Sequence, residues 1–184
     1  MDDNAEQLCR TAQAGNREAA SRLVDLFYER IFIFMRRSCR SDEDAADLTQ
    51  KTFVKVWTGL GTFQGRSSFS TWIYGIAHHT LIDWRRRKSF AEPQGEDWWE
   101  SCPDAGPGPF ENVVERDLAQ QLYAAVEQLE PGAREVVHLH YYQGLSLSET
   151  AAVLDVATST VKYRLRLALD FLKAQTAEPR VRQN

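Results

Sequence analysis

The stretch SLSETAAVLDVATSTVKYRLRLALDFLK, Ser146 to Lys173, decides the fold. It opens on Ser146-Leu147-Ser148-Glu149. At this spacing a serine hydroxyl caps the first turn of a helix and the glutamate reaches back to the cap. The helix runs to about Leu154. Asp155-Val156-Ala157 is a turn, and a second helix starts near Thr158 and continues to Lys173. Val161, Leu165, Ala168, Leu169 and Leu172 recur at steps of three and four on its buried side. Ala151 is small at the place where the two helices cross. Two helices joined in this way form a helix-turn-helix.

The other face of the second helix carries Ser159, Thr160, Lys162, Tyr163, Arg164 and Arg166. Its first residues are small and polar, which lets a helix N-terminus enter a groove and offer backbone N–H groups to phosphates. Lys162 and Arg166 stand four apart and share one side. Arginine reads guanine with two donors, whereas lysine meets a phosphate as readily. A solvated helix that happens to be basic is the plainer alternative. The capping box and turn in front of it favour contact with DNA.

Working outward, Val113 to Leu129 repeats Leu118, Leu122, Ala125, Val126 and Leu129 as a helix. Pro131-Gly132 breaks it. A further helix spans Ala133 to Tyr142 through Val136, Val137, Leu139 and His140, and Gly144 closes it. Upstream, Glu92 to Pro109 reads EPQGEDWWESCPDAGPGP, with four prolines and three glycines. No helix or strand period survives there. Seven acidic residues and no basic one lie between Ser89 and Glu115, which favours an extended tether. Trp98 and Trp99 have two open readings: packing on a neighbouring domain, or docking on a large partner.

Before the tether the pattern is again helical. Asn16 to Ser38 places Ala20, Leu23, Phe27, Ile31 and Phe34 on one stripe. Ser41 or Asp42 caps the next helix, which carries Ala45, Leu48, Phe53, Val56, Trp57 and Leu60 on a broad face and ends at Gly59 and Gly61. FQGRSSFS, Phe63 to Ser70, is a polar loop. Ser70 caps a further helix from Thr71, with Ile73, Ile76, Ala77, Thr80, Leu81 and Trp84 inward and Arg85-Arg86-Arg87-Lys88 at its end. The fold class is therefore all-α. It has two small helical domains joined by a flexible acidic linker, and the second domain contains the helix-turn-helix. Boundaries fall at 1–90, 91–115 and 116–176, with a tail at 177–184.

Composition agrees with a folded chain. Apolar residues make up 43% of the 184 and charged residues 26%. No run is long enough for a membrane span. The acidic N-terminus carries no secretory signal, so a cytoplasmic location is expected. Three cysteines without a CxxC suggest neither a disulfide scaffold nor a zinc site. The net charge of −4 hides its layout: Val156 to Asn184 holds six basic residues and two acidic ones. His78 and His79 are adjacent, so at most one faces the core, and no third ligand makes a metal site. Asp83 and His79 share a helix side, but no nucleophile or nucleotide loop accompanies them. No cofactor and no enzyme activity are expected.

As a set, these residues resemble the extracytoplasmic function sigma factors, the smallest group (group 4) of the sigma-70 family. The resemblance covers about Asn16 to Lys88 and Asp117 to Lys173. It rests on DEDAADLTQKTFVKVW (Asp42–Trp57), FQGRSSFSTWIYGIAHHTLIDWRRR (Phe63–Arg87) and LEPGAREVVHLHYYQGLSLSETAAVLDVATSTVKYRLRLAL (Leu129–Leu169). A helix-turn-helix alone also ends many response regulators. Both halves in this order are far more specific.

The resemblance implies a sigma factor that directs core RNA polymerase to −35 and −10 promoter elements and starts DNA melting. It places polymerase binding on Asp44, Asp47, Leu48, Gln50 and Phe53. Lys51 departs from the family, where an acidic residue usually follows Gln50. The −10 DNA would meet Phe63, Arg66, Ser67, Ser68, Phe69, Arg85, Arg86 and Arg87. Phe63 and Phe69 read as loop anchors or, alternatively, as base-stacking rings. The −35 DNA would meet Ser159, Thr160, Lys162, Tyr163, Arg164 and Arg166. Ala157 stands where a capping serine is frequent, with Thr158 expected to take over the cap, and Tyr163 stands where serine is common. The implied partners are the β′ clamp helices and β flap of core polymerase, promoter DNA, and an inhibitory anti-sigma factor. The acidic linker would pass through the polymerase toward the RNA exit path. The rival reading is a DNA-binding activator acting beside polymerase, which would bind duplex tightly without it.

Overall fold

A computed structural model of the chain describes residues 2–39, 41–91 and 122–177. The described residues form two helical regions, and every regular element among them is helical. The acidic linker with Trp98 and Trp99, the first half of the helix expected from Val113, and residues 178–184 of the tail lie outside the described residues. No helix among the described residues is long and apolar enough to cross a membrane.

The first region begins with a helix that the sequence reading did not anticipate, α1 (Asp2–Gln13). Ala5 and Cys9, one turn apart, are buried on its inner side. Gly15 ends it at φ +91°. Its amide donates to the Ala12 carbonyl, and the Asn16 amide donates to the Thr11 carbonyl. This pair of bonds is the common glycine-terminated helix end, whose positive φ is strained for most residues that carry a Cβ. Asn16 then caps α2 (Arg17–Cys39), its Oδ1 accepting from Ala19 N at 3.0 Å. Ala19 rather than Ala20 is the buried alanine of the α2 stripe, followed by Leu23, Phe27, Ile31 and Phe34 as expected.

The next helix, α3 (Asp42–Gly59), is capped by Ser41, whose hydroxyl accepts from Asp44 N. Asp42, Glu43 and Asp44 complement the helix dipole in the first turn. A 3₁₀ turn, Leu60–Thr62, follows at once. The fourth helix, α4, spans Phe69–Ala91, so it starts two residues earlier than expected. Its cap is Ser68 and not Ser70: the Ser68 hydroxyl accepts from Thr71 N at 3.2 Å. Ser70 is buried instead. The shift brings Phe69 into the core against Phe27, ring centroids 5.4 Å apart. Phe63, Phe69 and Trp72 pack mutually at 5.0–5.6 Å. Each such pair contributes about 0.5–1.5 kcal/mol beyond simple burial. Cys9 and Cys39 are both buried free thiols, and burial pushes each above its ordinary pKa, which makes them poor nucleophiles.

In the second region residues 122–127 are helical. Leu122, expected inside, is exposed, whereas Ala125, Val126 and Leu129 are buried. Then comes α5 (Pro131–Val137), which starts at Pro131 and not at Ala133. Proline at the first helical position lacks only an N–H that would have no partner. Arg134 reaches back, donating to the carbonyls of Glu127 at 2.6 Å and Leu129 at 2.9 Å, and so closes the end of the preceding helical segment. The expected continuation to Tyr142 is present, but His138–Tyr142 is a π-helical segment rather than α. Gly144, at φ +74°, turns the chain.

The helix-turn-helix follows as α6 (Leu147–Leu154) and α7 (Thr158–Ala177), the latter one turn longer than expected. The core of this region joins Val126, Leu129, Ala133 and Val137 to Ala168 of α7, with Leu165, Phe171 and Leu172 partly buried around them.

Candidate nucleic-acid and polymerase interfaces

Local chemistry places α7. Ser146 N donates to the Glu149 carboxylate at 2.9 Å and Glu149 N donates to the Ser146 hydroxyl at 3.2 Å, the reciprocal box expected from the sequence. In the turn, Asp155 adopts φ +52°, a left-handed conformation that aspartate tolerates better than most residues. The Ala157 carbonyl then accepts from Thr160 N and Val161 N. Ala157 therefore holds the cap position, and Thr158 is already the first helical residue. The expected transfer of the cap to Thr158 does not occur.

With Val161 fully buried, the register of α7 is set. Ser159, Lys162, Tyr163 and Arg166 are exposed, Tyr163 by 58%, and Thr160 is half-exposed. Arg164 differs. It is only partly exposed, and its guanidinium lies 2.9–3.1 Å from where a Cβ on Gly132 would stand. That basic group is packed on α5 and stands apart from the open face.

On α3 the expected polymerase-binding residues divide by burial. Asp47 and Gln50 are exposed and Asp44 is partly so. Leu48 is fully buried, and Phe53 is nearly so, stacked on Tyr28 with centroids 5.8 Å apart. Leu48 and Phe53 thus hold the helix in place and leave its surface to the polar residues. Both acids have basic neighbours within the chain. Lys51 pairs with Asp47 one turn earlier, and Lys88 lies 3.7 Å from Asp44. The departure at Lys51 therefore meets a carboxylate of its own helix.

The loop between α3 and α4 exposes Arg66 and Ser67, while Ser68 is occupied as the cap. Phe63 is half-buried and Phe69 completely buried. Phe69 is packed as an anchor and has no surface to stack on a base, whereas Phe63 packs on Phe69 and Trp72 and stays partly exposed. The basic run at the end of α4 is also divided. Arg85 donates to the Ser38 carbonyl at 3.3 Å, Arg86 pairs with Asp83, and Arg87 donates to the Asp83 carbonyl of its own helix. Arg86 and Arg87 are exposed; Arg85 is not fully so. Asp83 also lies 3.5 Å from Lys55, so it serves ion pairs on the α3–α4 surface. His78 is buried and His79 exposed, with Nδ1 of His79 2.7 Å from the Gly75 carbonyl. One residue near this loop escaped sequence reading: Gln13 of α1, whose side chain reaches the 3₁₀ turn. The Ala5–Cys9 spacing followed by Gly15 was the available signal for its helix.

Comparison with known proteins matches this division. Residues 23–91 match Sigma-70 region 2 and residues 119–172 match Sigma-70, region 4. The chain is 33% identical over 170 residues to the RNA polymerase sigma factor YlaC of Bacillus subtilis (strain 168), covering 90% of this chain and 96% of that protein. It is 30% identical over 155 residues to the ECF RNA polymerase sigma factor SigX of the same organism, covering 82% and 80%. Among solved structures it resembles CnrH in complex with the cytosolic domain of CnrY, with a TM-score of 0.66 and 25% identity over 94% of this chain and 97% of CnrH. With both helical regions matched in order and relatives aligned over most of their length, the chain belongs to the extracytoplasmic function sigma factors of the sigma-70 family, the non-catalytic subunits that direct core RNA polymerase to promoter elements.

Proposed function

We propose a division of that work between the two regions. The second, spanning 116–176, reads the −35 element by laying the N-terminal half of α7 in the major groove. The first, spanning 1–90, docks on the β′ clamp helices through Asp44, Asp47 and Gln50, and captures an unpaired −10 base with the loop Phe63–Ser70. Arg86 and Arg87 meet phosphates of the strand being separated. The acidic stretch 91–115 is the tether, and the β flap is the second polymerase contact. Trapping an unstacked base offsets the opening of a base pair, a few kcal/mol in order of magnitude. A tether makes the two contacts reinforce one another through effective concentration.

The observation that carries this reading is the face of α7. Val161 and Ala168 are fully buried, while Ser159, Lys162, Tyr163 and Arg166 stand in solvent on the N-terminal half of the same helix. Run-off transcription with core polymerase freed of other sigma factors tests it. The chain should give a defined transcript and a gel shift that both require core enzyme. Tight binding to duplex without polymerase, and no transcript, would overturn the proposal.

An inhibitory anti-sigma partner completes the proposal. It would cover part of α3 or of the second region and compete with polymerase. Support comes from CnrH, which was solved with the cytosolic domain of CnrY, and from the exposed apolar ring of Tyr163. Recovery from unstressed cells of a one-to-one complex that excludes polymerase is the expected result.

A further inference from the structure

The N-terminal helix α1 has no part in the reading above, yet its last turn holds the loop on which that reading depends. Nε2 of Gln13 donates to the Leu60 carbonyl at 2.8 Å and to the Phe63 carbonyl at 2.8 Å. An amide oxygen in that place would face two carbonyl oxygens, so the contacts themselves require the donor orientation. Leu60 and Phe63 bracket the 3₁₀ turn, and the Phe63 amide closes it by donating to the Leu60 carbonyl at 3.1 Å. One side chain therefore clasps both ends of the turn from which the loop departs.

The far end of the loop is fixed separately by the Ser68 cap on α4. Between these two anchors the tip, residues 64–67, is exposed, with Gly65 at φ +67°. Glu6, Arg10 and Gln13 of α1 face Phe63, Gln64 and Gly65 across a pocket of about 340 Å³. Gln13 itself is exposed, and α1 is held down by Ala5 and Cys9. Loss of its two hydrogen bonds should therefore release the loop locally and leave the rest of the region folded. Their consequence is geometric: they restrict the path of the chain as it enters the loop, and a pre-ordered loop binds more tightly and more selectively than one that must be ordered on binding.

We infer that Gln13 is a positioning residue for base capture, fixing the α3–α4 loop from α1 without touching DNA. The inference rests on the proposed role of that loop. The test uses holoenzyme and single-stranded non-template oligonucleotides spanning the −10 element of a promoter mapped by its transcript start, each with one abasic position. The readout is the ratio of affinities for intact and abasic strands, position by position. Gln13→Met keeps length, neutrality and helix propensity but removes both donors. It should lower the ratio about tenfold at the captured position, the order expected when two hydrogen bonds ordering the loop are lost. Ratios at the other positions, affinity for core polymerase and thermal midpoint should stay as in the unmodified protein.

Unchanged ratios in Gln13→Met, with lowered ratios in an Arg66→Ala, Ser67→Ala double variant of the exposed tip, would overturn the positioning role while leaving the loop's role intact. Unchanged ratios in the double variant would overturn both. A lowered ratio accompanied by a fall in core affinity and thermal midpoint would also overturn the inference, since it would mean that Gln13 supports the region as a whole.

Discussion

The guanidinium of Arg164 fills the space that a side chain on Gly132 would claim, its Cζ 2.9 Å from where a Cβ would stand. A glycine at the second position of α5 therefore accommodates a basic side chain from α7. The packed stem and head of such an arginine matter as much as its charge. Arg164→Ala should destabilise the second region by about 1 kcal/mol, with promoter affinity in holoenzyme changed little. Gly132→Ala should push the guanidinium outward. Thermal unfolding and promoter titration together check this. A large affinity loss in Arg164→Ala without loss of stability would return Arg164 to the DNA-reading face.

The docking helix makes a prediction about sign. Lys51 pairs with Asp47 on the exposed face of α3. An exposed pair of this kind contributes little to stability. Its larger effect is on the field that a basic partner would meet. Lys51→Ala should therefore raise affinity for core polymerase, and Asp47→Lys should lower it, with thermal midpoints of both close to the unmodified protein. Competition for core against a labelled sigma factor measures both. Equal affinities for all three proteins would remove α3 from the docking surface.

The helix-turn-helix depends on two residues of different kinds, the cap in front of α6 and the turn between α6 and α7. Ser146→Ala removes the acceptor for Glu149 N and should cost about 1 kcal/mol. Asp155 holds φ +52°, so Asp155→Ala should cost about 1 kcal/mol and Asp155→Gly should cost nothing. Urea unfolding of the three variants checks the order. An alanine at position 155 as stable as glycine would show that the turn relaxes to another conformation.

What the sequence disclosed and what it hid follow from the range of the forces involved. The capping box at Ser146 and Glu149, the turn at Asp155 and the inward stripe of α7 were legible because each is decided within a few residues. The start of α4 was misplaced because Ser68 and Ser70 both offer a hydroxyl. The choice between them is made at a distance, by the fit of Phe69 against Phe27 of α2. The first helix was missed because its buried stripe consists of small residues, Ala5 and Cys9, which give a weak apolar signal. Arg164 was grouped with the open basic face since Gly132, far away in sequence, carries no mark of the space it leaves. The division of Arg85 from Arg86 and Arg87 likewise rests on a carbonyl of α2, that of Ser38.

The open face of α7 gives the most direct prediction for DNA. Lys162 and Arg166 lie one turn apart, both exposed, on the side opposite the buried Val161 and Ala168. No packing would be lost with their side chains, so the double variant Lys162→Ala, Arg166→Ala should fold with an unchanged thermal midpoint and bind core polymerase normally. Each cation that neutralises a phosphate releases about one counterion and steepens the salt dependence of binding by roughly 0.9. Promoter binding by holoenzyme should weaken, and its logarithmic salt slope should become shallower by up to about two. Single variants divide the roles. A residue that reads a base loses about 1–3 kcal/mol of discrimination at one −35 position, whereas a phosphate contact weakens all sequences alike. Arg166, with its bidentate head, is expected to show the first pattern and Lys162 the second. Promoter affinity and salt slope equal to the unmodified protein in the double variant would exclude this face of α7 from DNA.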